Sequence, residues 1–139
     1  MGGRGATNAT YLLNGKAHKY GDEYRAVGQV GEVKFVVMLE QERAIGGDSR
    51  VPGVKAPTGS MTPGRIYATI SLKTNELHSL SFIGADGKQA KRLDYREHRG
   101  MKIHVHEGYN GRGNIREPNE DELRMAHAML GIFNSEYKR

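Results

Sequence analysis

Cysteine is absent from the 139 residues. Disulfides, cysteine-ligated zinc and thiol nucleophiles are therefore excluded. Long apolar runs are missing too. None approaches the roughly 20 residues that span a bilayer. No charged-then-apolar leader opens the chain, so neither a membrane partner nor a secretory signal is expected. Aromatic residues make up only 7% of the chain, and the mean hydropathy is −0.67. At 37% hydrophobic residues, one modest core is still within reach. Glycine is in excess, with 19 of 139 residues, about twice ordinary usage. That favours many tight turns and a sheet-rich fold. Lys and Arg outnumber Asp and Glu by 21 to 16, for a net charge of +5 and a pI near 9.5. A balance of this size suits a polyanionic partner without identifying one.

The length predicts one domain. Residues 1–10 read as a flexible Gly-rich opening segment and 11–139 as a single domain. Residues 24–30 are expected to be extended. Val33, Phe35, Val36 and Val37 predict a strand over 32–39. Residues 40–60 carry Gly46-Gly47, Pro52-Gly53, Pro57 and Gly59, which predicts a long loop. Over 64–72, Ile66, Ala68, Ile70 and Leu72 alternate with Tyr67, Thr69 and Ser71, the period of a half-buried strand. Residues 76–83 return, Asp86-Gly87 signals a hairpin turn, and 88–94 form the next strand. A further strand is expected over 101–106, with Met101, Ile103 and Val105 on one face and Lys102, His104 and His106 on the other. After a loop over 108–118, Asn119 caps a helix, with Glu122 three positions on. Leu123, Ala126, Leu130, Phe133 and Tyr137 supply its apolar stripe. The expected fold class is α+β: a twisted antiparallel sheet of four to five strands with a C-terminal helix packed on one face.

The chemistry concentrates between Asp94 and Tyr109. Asp94, His98, His104, His106, Glu107 and Tyr109 fall there together. Histidines at i and i+2 of a strand point the same way, with Cα atoms about 6.6–6.8 Å apart. Three readings stand open. In the first, two imidazoles act as general acid and base on a phosphodiester, the RNA 2′-hydroxyl being the nucleophile. In the second, His-x-His with Asp94 or His98 binds a metal. In the third, the rings decorate an exposed strand. Lys88, Lys91, Arg92, Arg96, Arg99 and Lys102 oppose only Asp94 and Glu97 over 88–102, a local net of +4. Concentrated charge favours a phosphate-bearing ligand, although lysines also protect sheet edges. Only Tyr95 and Tyr109 are placed to stack bases. Thr62 and Arg65, where a loop enters a strand, form a second candidate site. His18 and His78 read as incidental, and no nucleophile elbow is present.

Several short motifs then line up. They are Tyr20-Gly21-Asp22-Glu23-Tyr24, Val33-Lys34-Phe35-Val36, Ala56-Pro57, Met61-Thr62-Pro63-Gly64-Arg65-Ile66-Tyr67-Ala68-Thr69, residues 77–82, Arg92-Leu93-Asp94, His98-Arg99-Gly100-Met101 and His104-Val105-His106-Glu107-Gly108-Tyr109. Their order resembles a domain at the C-termini of phage minor head (head-morphogenesis) proteins and in polymorphic toxin tips, grouped with the barnase–EndoU–RelE-like ribonucleases. The resemblance covers residue 20 to the end. The chain departs from it at Glu107, where the family often has a further histidine, and at Tyr95-Arg96-Glu97. It implies a metal-independent endoribonuclease, a toxin or phage effector acting on host RNA, tRNA included, in the bacterial cytoplasm and without a cofactor. His104 and His106 would be general acid and base, and Asp94 and His98 would orient an imidazole. Arg65 and Lys102 would stabilise the transition state. Thr62, Tyr109, Arg92 and Arg99 would contact substrate. A toxin of this kind implies an acidic immunity protein. The alternatives are a non-catalytic module docking on nucleic acid or a virion protein, and a metal-dependent hydrolase using the same histidines.

Overall fold

Short runs rich in apolar and β-branched residues become strands in the computed structural model, which describes residues 6–7, 23–47, 49–96, 100, 102–109 and 112–139. The strands are β1 (Ala6–Thr7), β2 (Tyr24–Val30), β3 (Val33–Met38), β4 (Gly59–Ser60), β5 (Ile66–Ser71), β6 (Glu76–Ile83), β7 (Gln89–Asp94), β8 (His104–Glu107) and β9 (Ile115–Arg116). The helices are α1 (Leu39–Gly46) and α2 (Glu120–Glu136). Seven strands form one sheet in the order β2-β3-β5-β6-β7-β8-β9, and β1 pairs separately with β4. Most of the opening segment, including residues 1–5, lies outside the described residues.

Tight turns explain the antiparallel pairs. Gly31 between β2 and β3, and Gly87 between β6 and β7, have φ of 58° and 82°, values that glycine reaches without a Cβ clash. β3 and β5 are parallel, so the chain must cross over between them. That crossover contains α1, within the expected loop over 40–60. The helix escapes sequence reading because it has no apolar stripe. Its buried side chains are Gln41 and Ala44, and Gln41 acts as a clip. Its Nε2 donates to Pro52 O at 2.9 Å, and its Oε1 accepts from Leu72 N at 2.9 Å.

The sheet is broader than the expected four to five strands. Its outermost member, β9, is a two-residue strand inside the expected loop over 108–118. The histidine-bearing strand starts at His104 rather than 101, and Met101 lies outside the described residues.

Register separates the two faces. Phe35, Ala68, Leu80, Leu93 and Val105 are consecutive cross-strand partners. All five are completely buried, and they pack with Ala126, Met129 and Phe133 of α2. A fully buried Leu, Val or Phe side chain contributes about 1.5–3 kcal/mol, so this rung anchors the helix to five strands. The opposite face holds Tyr24, Val36, Met38, Tyr67 and Ile83, with Val54 packed against them. Asn119 and Glu122 close a capping box at the start of α2, as expected. The buried stripe runs through Glu122, Ala126, Met129 and Phe133, whereas Leu123 is exposed. No helix among the described residues is long and apolar enough to cross a membrane.

Tyr137 closes the far end of the helix face, its ring 5.0 Å from that of Phe35. A Cβ at Gly28 would overlap the Tyr137 hydroxyl. Gly28→Ala should therefore destabilise by about 1–2 kcal/mol through overpacking, read by urea unfolding. Combining it with Tyr137→Phe should recover part of the loss, and equal stability of the single variant and wild type would refute the contact.

Candidate active site

Two neighbouring rungs on the face opposite α2 carry the chemistry. One runs Val36, Thr69, Ser79, Asp94, His104, and the next Lys34, Tyr67, Ser81, Arg92, His106. The local sequence explains the placement. Arg92-Leu93-Asp94 and His104-Val105-His106 each put a completely buried apolar residue toward the helix. Alternation then sends both flanking polar side chains to the other face.

The groups converge closely. His106 Nε2 lies 3.0 Å from Asp94 Oδ2, and His104 Nε2 lies 3.5 Å from the same oxygen. The two Nε2 atoms are 3.1 Å apart, with the rings edge to face at 69°. Arg92 grips the same carboxylate, donating from Nε to Oδ1 at 2.8 Å and from Nη2 to Oδ2 at 3.1 Å. His104 is 2% exposed, so access is from the His106 side. Ser79 and Ser81, beside Asp94 and Arg92, are also buried. Asp94, His104 and His106 are a group whose donor atoms can together hold a metal ion.

His78, read as incidental from sequence, belongs to the surroundings of this cluster. It sits at the β5–β6 irregularity, where Thr69 pairs with Ser79 but Ile70 pairs with Leu77. Burial lowers its pKa; Asp94 opposes this, while Arg92 and Arg96 add to it. Its Nδ1 is 3.0 Å from Ser79 Oγ. With Lys73, Arg96 and Ser71 it lines a cavity of about 390 Å³ at this end of the sheet. The register shift that places it is a property of the β5–β6 pairing, and no local run of sequence marks it.

The other expected site residues are dispersed. Arg65 and Thr62 lie at the head of β5, three strands from β8, which is about 14 Å at ordinary strand spacing. The backbone N–H of Thr62 donates to Ser60 Oγ. Arg65 bears instead on Lys34, whose pKa is lowered chiefly by burial and next by this guanidinium. Lys102 precedes the strand and lines a cavity with Leu130 and Phe133 of α2, so it does not share the imidazole face. Tyr95 is no base platform, because its hydroxyl donates to Ala126 O at 2.7 Å and its ring packs on the helix-side core. Burial raises its pKa. Tyr109 has Lys88 Nζ 5.6 Å from its ring centre. Glu107, where the resembled family often has histidine, pairs with Arg116. His98 and Arg99 lie outside the described residues, as does His18.

The local charge excess is also reduced by pairing, since Lys91 binds Glu122 and Arg92 binds Asp94. Among the described residues, Lys88, Arg96 and Lys102 form no ion pair. Comparison of the chain with protein-family models, curated proteins and solved structures finds no match.

Proposed function

We propose that this domain cleaves RNA phosphodiesters at the Asp94–His104–His106 cluster, acting as an effector on RNA in a bacterial cytoplasm. The observation that carries the reading is the convergence of two imidazole nitrogens and one carboxylate oxygen within 3.5 Å of one another. Such a centre can act on one substrate oxygen and take up its proton. The separation of 3.1 Å between the Nε2 atoms leaves no room for a phosphate between the rings. The cluster therefore works as one unit on one side of the phosphorus, not as an acid and a base on opposite sides.

RNA supplies its own nucleophile. The 2′-hydroxyl loses its proton to the cluster, the bond from its oxygen to phosphorus forms, and the bond to the 5′-oxygen breaks. Water protonates the departing 5′-oxygen. The products are a 2′,3′-cyclic phosphate and a 5′-hydroxyl. Arg96 and Lys73, on the cavity that His78 also lines, supply positive charge for the phosphate.

The test is incubation of the protein with tRNA and with total RNA, with no added metal and separately with Zn²⁺, Mn²⁺ or Mg²⁺. Cleavage to cyclic-phosphate ends is expected. RNA left intact under every condition at high protein concentration would overturn the proposal.

A further inference from the structure

We infer that Asp94, His104 and His106 form a three-ligand site for one divalent transition-metal ion. The inference rests on the same cluster as the cleavage reading, but its test uses no RNA, so either can fail without the other.

The first argument is geometric. The three donor atoms form a triangle with edges of 3.0, 3.1 and 3.5 Å. A point equidistant from them lies about 1.9 Å from each. Raising that point about 0.9 Å out of their plane gives the 2.0–2.1 Å of zinc bonds to imidazole nitrogen and carboxylate oxygen. The donors are held by the backbone ladder itself, since Asp94 and His104 are register partners and His106 lies two residues on.

The second argument concerns the donors' support. A single cation can bond to one lone pair on each of the three donor atoms. Arg92 completes the arrangement by holding both carboxylate oxygens, the orienting contact that a ligating carboxylate ordinarily has.

Ligand chemistry narrows the choice of ion. Two imidazoles and one carboxylate suit Zn²⁺, Fe²⁺ or Mn²⁺ and are a poor set for Mg²⁺ or Ca²⁺. Three protein ligands leave at least one open position, the pattern of a catalytic centre and not of a closed structural one. With an ion bound, the three donor lone pairs would be occupied and the cluster would not itself take the 2′-hydroxyl proton; the ion would instead lower the pKa of an oxygen placed at the open position, whose proton would pass to solvent water. The zinc-site signal that cysteine spacing gives is missing from this sequence, and a His-x-His pair ten residues after an aspartate has no fixed motif.

The test is titration of chelator-stripped protein with Zn²⁺ by calorimetry, and with Co²⁺ followed by visible absorption. One ion per chain, a rise in thermal midpoint with Zn²⁺ and intense Co²⁺ bands of a low-coordinate nitrogen–oxygen site are expected. His106→Ala should remove the Co²⁺ bands. Asp94→Asn, which keeps the side-chain shape should the first variant fail to fold, should weaken Zn²⁺ binding at least tenfold. His127→Ala, on the exposed side of α2, should change nothing. Absence of stoichiometric Zn²⁺ binding, or binding unaltered in both cluster variants, would overturn the inference.

Discussion

Glu122→Ala should destabilise the fold by about 3 kcal/mol at neutral pH, the low end for breaking a buried ion pair. Glu122 is 5% exposed, yet four donors meet its carboxylate. Lys91 Nζ lies at 2.7 Å, Arg116 Nη1 and Nη2 at 2.8 and 2.9 Å, and the Asn119 backbone N–H at 2.9 Å. One side chain thus ties β7, the outermost β9 and the start of α2 together. Its loss strands two cations and a helix N–H. Lys91 and Arg116 are each about one-third exposed and regain water, which keeps the loss at the low end. The Arg116 hydrogen bonds, ahead of those from Lys91 and Asn119, hold the Glu122 carboxyl down at about 2, against 4.5 for the ordinary group. A depressed carboxyl contributes stability that is fully present above about pH 4.5 and is lost as pH falls toward 2. Urea unfolding should show wild type weakening through that window and the variant lacking this part of the slope. Glu122→Gln keeps an acceptor for Asn119 and should fall between the two. A loss below about 1 kcal/mol in Glu122→Ala would contradict the account.

What the sequence makes legible follows from how local each signal is. The strand over Ile66–Ser71, the Asp86-Gly87 turn and the Asn119–Glu122 capping box depend on neighbouring residues, and all are in place, although the strand is buried on both faces and not half-buried, because Val54 and the loop before β5 cover its second side. The crossover containing α1 depends on where Gln41 finds Pro52 and Leu72, partners 11 and 31 residues away. No window of sequence holds that information. The two-residue β9 is stabilised by β8 and by the Arg116 pairs to Glu107 and Glu122, not by strand propensity. At the cluster, the shared face of His104 and His106 is readable from alternation alone. Their separation of 3.1 Å is not. It follows from ring rotation toward Asp94, whose position opposite His104 is a matter of β7–β8 register. The same register explains Lys102, since a strand that starts at His104 does not impose its alternation two residues earlier.

Asp94→Asn should lower kcat/KM for RNA cleavage by a factor of about 100 to 1,000 while leaving the domain folded, at a cost of about 1–3 kcal/mol in unfolding free energy. The expected separation between activity and stability follows from the contacts. Asparagine has nearly the same shape, and the β7 backbone pairs with His104 and Ser79 do not involve the side chain. Arg92 loses a charged partner, but its side chain is 20% exposed and reaches water. The fold therefore tolerates the change. The cluster does not, because Oδ2 lies within 3.5 Å of both imidazole nitrogens. A neutral amide oxygen binds a cation or a shared proton less strongly, and an amide turned the other way presents N–H donors to the same nitrogens. Ser81→Ala, on the adjoining rung, supplies the control: it keeps all three cluster groups and should leave kcat/KM within a few-fold of wild type. Parallel measurement of RNA cleavage and urea unfolding checks both halves. Equal activity in Asp94→Asn and wild type would remove Asp94 from the reacting centre, and loss of the folded state would show that its charge is structural.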